Sequence, residues 1–478
     1  MMLVVILFFI IGITPAVAQQ NMSFSKAMNV MFENNSMVKS EQYNVDIAYN
    51  ELRATRGLAL PKIDLIGGYT LMQSDIDMDL GGSKGVITES LKDAINQGVT
   101  NGIISSDLAS LLTQGLSPIT SMDWRYTLQK RSFGVVGATL TLPIYMGGRI
   151  NIANRAARIA LSAASYSLDA TKSMLLTELV ERYYGVVVAR SACGVRQDVV
   201  DAIKRHLVDA EAMEEEGIVA HSVVVYAQYK LAEAERDLHD AINKVKVAEA
   251  ALNTTVGIEQ SINPIDRIFI CNNIHNIDYY TDMAIALNPI LCELRHGKQL
   301  SEEGVKLARA AMLPEIAAMG AGAIYSYQLS NMIPRWSIGV GVRIPLFDGL
   351  GKEYRYIASK SGVKSIKEEV ENAQSNIILL VEKEYYNLEN SISNISATRR
   401  AIDFAESYYN SALEGFREGV VSSADLMDAC TELAATKVEY LNAAYENTLT
   451  LARLLEASGL SDTFIQYVEQ GINIDIDI

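Results

Sequence analysis

The chain is poor in the residues that catalysis and metal binding use. Among 478 residues it has only 5 histidines, 4 cysteines and 2 tryptophans. His206, His221, His239, His275 and His296 are scattered and match no metal-ligand spacing such as His-Glu-x-x-His. No glycine-rich phosphate loop follows a strand. Glu214-Glu215-Glu216 reads as a charged helix end, and the 17 methionines are dispersed, so neither suggests a metal path. No catalytic residue, metal site or cofactor is expected, and an enzyme reading has nothing to rest on. Positive charge is also short. The 41 Lys and Arg against 57 Asp and Glu leave a net charge of -16. Nucleic acid, which needs a basic face, is not an expected partner. Cys193, Cys271, Cys292 and Cys430 have no diagnostic spacing. In an oxidising compartment Cys271 and Cys292 are a candidate pair, but buried free thiols are the favoured reading.

Long apolar runs are missing too. Leu3 to Ile13 is apolar, and Ala16-Val17-Ala18 before Gln19 is a plausible cleavage site. That run is too short to span a bilayer, so residues 1–18 are expected to be a secretory signal, although the usual positive start is lacking. Position 19 is not cysteine, so no N-terminal lipid is expected. No other segment approaches the roughly eighteen consecutive apolar residues that a membrane-spanning helix needs. An exported chain of this kind is either free in an outer compartment or held in a membrane by strands.

The clearest positive feature is an internal duplication. Adding 202 carries Pro143 to Pro345, Gly147 to Gly349, Tyr183-Tyr184 to Tyr385-Tyr386, Gly217 to Gly419, Leu231 to Leu433 and Gly257 to Gly459. Upstream, Leu58–Tyr69 corresponds to Ala311–Gly322 at an offset of 253, so the first copy carries a 51-residue insertion, roughly Ser74 to Trp124. Each unit reads helix, strand, loop, strand, very long helix, turn, helix.

Four segments alternate like strands. Trp336, Ile338, Val340, Val342 and Ile344 face one way, and Ser337, Gly339, Gly341 and Arg343 the other. Val136, Ala138, Leu140 and Leu142 alternate with Gly137, Thr139 and Thr141; Ile63, Leu65, Gly67, Tyr69 and Leu71 form a third set. Pro314 to Tyr327, rich in Gly and Ala, has the weakest pattern. About ten residues of such alternation suit a lipid-facing barrel strand. An ordinary half-buried sheet packed on helices is the alternative. A barrel is the favoured reading, and it requires copies: four strands cannot close, and lipid does not tolerate an open edge. A trimer, with twelve strands, is the smallest hollow solution.

Between Arg149 and Glu216 there is no proline, so a rod on the order of 100 Å is expected, with a mate from Lys352 to Glu418. The helices Asn21–Gly57 with His221–Val256, and Thr281–Ala310 with Ser423–Glu456, are the expected shorter partners, stacked in pairs. Val224, Ala227, Leu231, Ala234, Leu238, Ala241, Val245, Ala248 and Leu252 repeat at 3,4 spacing, a heptad seam. Both flanking helices of each hairpin lie on one side of the strands, so the hairpin loops and the insertion lie on the other.

The order of these elements, with "LPIYMGGR" and "IPLFDGLG" at strand-to-helix junctions and the turns "EEGIVAHSVV" (Glu215–Val224) and "REGVVSSADL" (Arg417–Leu426), resembles the TolC-type outer membrane efflux protein family over nearly the whole mature chain. The fold class expected is mostly α with a transmembrane β-barrel: duplicated long coiled-coil hairpins forming a tunnel, and two β-hairpins per chain in a twelve-stranded barrel of a homotrimer. The resemblance implies an exit duct of a tripartite efflux or type I secretion system, set in outer-membrane lipid, its tunnel in the periplasm. Its partners would be a periplasmic adaptor (membrane fusion protein) and an inner-membrane pump of RND, ABC or similar type. A trimeric surface adhesin and a soluble periplasmic coiled-coil adaptor are the competing readings. The adhesin needs contiguous C-terminal strands; the adaptor has no use for lipid-facing hairpins.

The expected organisation is a signal peptide over 1–18 and a first repeat over 19–257, with hairpin 61–144, external loop 74–124 and helical pair 149–256. A linker, 258–280, leads to a second repeat, 281–460, with hairpin 314–347 and helical pair 352–457. Residues 461–478 form a tail. The resemblance places the adaptor-docking tip at Gly217, Ile218, Val219 and Ala220 and at Gly419, Val420, Val421 and Ser422. It places gate carboxylates at Asp425 and Asp428, six in a trimer; the first copy has Val223 and Tyr226 there. Val421 stands where some relatives carry a basic residue, and Arg417, one turn earlier, is the candidate substitute. Solvated surface carboxylates are the alternative reading.

Overall fold

The computed structural model describes residues 20–258 and 260–473; the expected signal segment, 1–18, and residues 474–478 of the expected tail lie outside them. In chain order, β1 (Gln20–Met22), α1 (Phe24–Asn34) and α2 (Ser36–Gly57) lead into β2 (Lys62–Leu71). Then come β3 (Ile76–Asp79), α3 (Gly81–Thr100), α4 (Ser106–Gly115), α5 (Ser117–Ser121) and β4 (Arg125–Gln129). Strand β5 (Ser132–Met146), helix α6 (Arg149–Glu215) and helix α7 (His221–Val256) complete the first series. Short strands β6 (Ile262–Pro264) and β7 (Phe269–Ile270) precede α8 (Ile277–Leu287), α9 (Pro289–Ala310), β8 (Glu315–Tyr327), β9 (Trp336–Arg343), α10 (Gly351–Arg417) and α11 (Ser423–Ala457). Helix α12 (Phe464–Gln470) and β10 (Ile472–Asn473) follow. Among the described residues, no helix is long and apolar enough to cross a membrane.

The chain divides into two compact units. One, Ala54–Asn154 with Lys306–Arg355, holds a four-stranded antiparallel sheet in the order β2-β5-β8-β9. Hairpin β2–β5 runs without a slip from Lys62↔Thr141 to Leu71↔Ser132. The β5–β8 ladder shifts register near Pro143, which has no N–H to give it. Strand β8, the weakest pattern in the sequence, is paired on both sides, and its small residues have a packing reason. Gly320 lies between Leu140 and Ile338, so a large side chain there would crowd both. Within the chain, β2 and β9 are each paired on one side only. One sheet face presents Leu65, Tyr69, Leu71, Trp336, Val340 and Val342, all exposed, with Ile63 at 75% and Ile338 at 80%.

The segment expected as an external loop, 74–124, is instead a folded insertion. Strands β3 and β4 pair from Ile76↔Gln129 to Asp79↔Arg125, and α3, α4 and α5 pack together. Asp79 accepts a hydrogen bond from the Gly81 N–H at 2.7 Å, fixing the start of α3, and Lys84 Nζ donates to the Met122 carbonyl at 2.8 Å.

The other unit comprises the chain through Arg53, Arg155–Val305, and the chain from Tyr356 on. Helices α6 and α10 have 67 residues each. The heptad seam of α7 is buried or half-buried at every position from Val224 to Leu252. Two of the four expected partner helices, Asn21–Gly57 and Thr281–Ala310, differ from expectation: each is broken in two. At the first break, Asn35 donates from Nδ2 to the Thr255 carbonyl at 3.0 Å and accepts from the Met37 N–H at 2.8 Å. At the second, Asn288 donates to the Ala457 carbonyl at 2.9 Å and accepts from the Leu291 N–H at 3.1 Å. An asparagine that caps the following helix ends the preceding one. The donors differ by 253 and the acceptors by 202. The duplication therefore reaches down to one side-chain hydrogen bond. The segment expected as a linker, 258–280, contributes β6, which pairs with β1, and β7, which pairs with β10. A core of Phe24, Tyr183, Tyr184, Phe269 and Phe464 surrounds them, and the Tyr183 hydroxyl donates to the Met22 carbonyl at 2.8 Å. All four cysteines are free thiols, so Cys271 and Cys292 are not bridged.

Candidate tip and gate site

Two turns join the long helices to their partners, and they share one geometry. After α6, Gly217 takes a φ of +72°, its N–H reaches the Glu214 carbonyl at 2.8 Å, and the Ile218 N–H reaches Met213 at 2.8 Å. After α10, Gly419 takes a φ of +77°, its N–H reaches Phe416 at 3.0 Å, and Val420 reaches Gly415 at 2.8 Å. Both are Schellman-type stops, in which a left-handed residue lets the last helical carbonyls find donors. Ile218 and Val420 point outward at 63% and 76% exposure, apolar side chains that nothing in the chain covers.

The turns diverge at the next helix. Ala220 precedes α7 with no side-chain cap. Ser422 caps α11: its hydroxyl accepts from the Asp425 N–H at 3.2 Å and donates to Asp425 Oδ2 at 2.7 Å. Ser-x-x-Asp is a capping-box signal that the sequence carried openly. Asp425 is therefore partly engaged by its own helix start. Asp428, one turn on, is exposed, as is Arg417 in the last turn of α10. Among the described residues, Arg417 forms no ion pair with either aspartate. It lies where a cation suits the α10 dipole. The structure thus brings Asp425 and Asp428 onto one exposed stretch, with Arg417 beyond ion-pair reach of them within the chain.

Beneath the second turn lies a small core: Val200 and Ile203 of α6, Phe416 of α10, and Leu426, Met427 and Ala429 of α11. Cys430 borders it, and burial pushes its thiol up to about 11. One further feature has no signal in the sequence. His206, 4% exposed, lies in this core with Nε2 2.7 Å from Ser423 Oγ and its ring edge-on to Phe416 at 4.6 Å. Its Nδ1 is buried without a partner. Among the described residues, no group of His, Cys, Asp or Glu is placed to hold a metal ion.

Comparison with known proteins agrees in sequence and in fold. The family described as outer membrane efflux protein matches residues 28–258 and 281–460, the two repeats. The outer membrane efflux protein BepC of Brucella suis is 23% identical over 73% of this chain and 75% of its own. The outer membrane protein TolC of Vibrio cholerae is 22% identical over 97% of this chain and 96% of its own. In fold, the CmeC outer membrane channel of Campylobacter jejuni superposes with a TM-score of 0.70 at 14% identity, covering 94% of this chain and 90% of its own. With the duplicated helical hairpins, the open-edged sheet and a family match spanning both repeats, the chain belongs to the outer membrane efflux protein family.

Proposed function

We propose that the protein works as a homotrimer in the outer membrane, a passive exit duct for an inner-membrane pump joined to it by a periplasmic adaptor. Three four-stranded sheets close a twelve-stranded barrel, each β2 edge meeting the β9 edge of the next chain. The helices continue the wall as a tunnel. The observation that carries this reading is the sheet: two unpaired edges, and an apolar face that is exposed along both edge strands. In water such a sheet aggregates. Closed in lipid, the edges vanish and the apolar face meets hydrocarbon. Ile63 and Ile338 would then face lipid, and Asp64, Thr139 and Ser337 the lumen.

The helices support the same reading. Leu379, Tyr386 and Phe404 on α10 are exposed, and their spacings of 7 and 18 residues put them on one face. In the first repeat the tyrosine equivalent to Tyr386, Tyr184, is fully buried. A second copy covering α10 accounts for the difference. In this reading the tips are Gly217, Ile218, Val219 and Ala220, and Gly419, Val420, Val421 and Ser422. Exposed Ile218 and Val420 offer apolar anchors for the adaptor. Asp425 and Asp428 ring the axis beside the second tip.

The test is the particle itself. Purified in mild detergent, it is expected to have three times the chain mass, to migrate as a heat-sensitive oligomer, and to conduct ions in a planar bilayer. A monomer, or an oligomer that conducts nothing in any state of its tip, overturns the duct.

A further inference from the structure

We infer that His206 is a positioning residue that pins the second tip turn against the long helix of the first repeat, and that protonating it lets the turn go. The inference rests on the duct reading only for what the release would open. The pin joins three elements: His206 of α6, Phe416 at the end of α10, and Ser423, the first residue of α11. In its neutral form the ring bonds Ser423 Oγ at 2.7 Å and leaves one nitrogen unpaired in an apolar pocket. A protonated ring would put a second donor and a full charge in that pocket, where both cost free energy.

The charged groups around the ring set the sign. On α6, Asp209 attracts a proton and neighbouring Arg205 repels it, but both side chains are exposed. On α10, Glu414 and Arg417 flank Phe416 and face solvent. On α11, Asp425, two residues after Ser423, is bonded to Ser422. Burial therefore outweighs Asp209 and holds the imidazole below its ordinary value. A released ring, in water, titrates near the usual ~6.5. The pin is then at full strength above that value. It weakens as pH falls below it, until the pH passes the lowered value of the pinned ring, after which the loss is constant.

The pin occurs once. The positions equivalent to His206 and Ser423 in the other repeat are Tyr408 and His221, and both are exposed. It thus holds only the turn that carries Asp425 and Asp428. A release here moves the carboxylates and leaves the first tip alone.

Hydrogen–deuterium exchange on the full chain in detergent, corrected for intrinsic rates, tests this at pH 7.5 and pH 5.5. The wild type should exchange faster at the lower pH over residues 419–427, by up to roughly tenfold per pH unit below 6.5. Residues 217–225 should not follow. His206→Gln, which keeps a hydrogen-bonding side chain but does not titrate, should flatten the profile. Ser423→Ala, which leaves the ring in place, should loosen the turn at both pH values, so the pin stays testable if the glutamine variant misfolds. A wild type with no pH response, a His206→Gln profile like the wild type, or a Ser423→Ala variant as slow as the wild type at pH 7.5 overturns the pin. Bilayer conductance is read in parallel. Exchange that responds without conductance refutes the duct and keeps the pin; conductance without responsive exchange does the reverse.

Discussion

Gly147 and Gly148 turn the chain from β5 into α6 with φ values of +61° and +83°. Their repeat equivalents are Gly349, at +76°, and Leu350, at +68°. Two left-handed residues in succession are thus used twice, and in the second copy one of them is a leucine. A side chain is tolerated at that position at the cost of backbone strain, about 1 kcal/mol. The first position differs. A Cβ on Gly147 would lie 2.7 Å from the Ala310 carbonyl oxygen and 3.0 Å from Leu313 Cβ, whereas one on Gly148 meets nothing within 4 Å. Gly148→Ala should therefore lose about 1 kcal/mol, and Gly147→Ala roughly 3 kcal/mol, because backbone cannot swing aside as a side chain can. The temperature at which the proposed trimer dissociates checks the order of the two variants. The junction glycines Gly147 and Gly349 are legible in the sequence because a left-handed turn restricts the residue type. The His206–Ser423 bond is not legible. Nothing local marks a histidine that meets a serine 217 positions away.

Among the elements, legibility follows length. The long helices announce themselves by absent proline, and α7 by its unbroken 3,4 seam; their bounds lie close to where the sequence puts them. Strands β6, β7 and β10, of two or three residues, are too short for any period and exist because a partner strand is beside them. The break at Asn288 is followed by Pro289, a first-turn proline that marks a helix start. Asn35 has no such neighbour, and its bonds to the Met37 N–H and the Thr255 carbonyl separate α1 from α2. The insertion escaped because Gly81, Gly82 and Gly85 open α3, and glycine opposes helix by about 1 kcal/mol each. Packing against α4 and α5 overrides that preference. The insertion's helices thus pack on one another, and Gln129 at its end bonds the Gln328 carbonyl and the Ser330 N–H of the neighbouring turn. Hairpin β2–β5 has its full ladder without the insertion, and the other hairpin turns through residues 328–335 with no such domain. Replacing residues 74–129 with an Asn-Gly turn should leave Met72 bonded to Arg131 and the oligomer intact in electrophoresis. Loss of the oligomer would mean that the insertion organises the sheet.

For the whole molecule, the repeat supplies near-equivalent staves and the second tip breaks their equivalence. Ser422, Ser423, Asp425 and Asp428 have Ala220, His221, Val223 and Tyr226 as counterparts, so the serine cap and both aspartates beside the tip lie in one repeat, while the other has His221 bonded to Glu214. In the three-fold assembly proposed above, those aspartates would come round the axis as six carboxylates in a narrow, water-filled constriction. Such a ring attracts cations, and a multivalent one more strongly than a monovalent one, because attraction scales with ionic charge. Divalent or trivalent cations added on the tip side should therefore lower single-channel conductance at micromolar to millimolar concentrations. Raising the salt should weaken the block by screening. Asp428→Asn should weaken it more than Asp425→Asn, since Asp425 already gives one oxygen to Ser422. The double variant should abolish it. Block that survives both substitutions would leave these carboxylates as ordinary solvated surface, and the constriction would have to be sought along the exposed apolar residues Ile218 and Val420 instead.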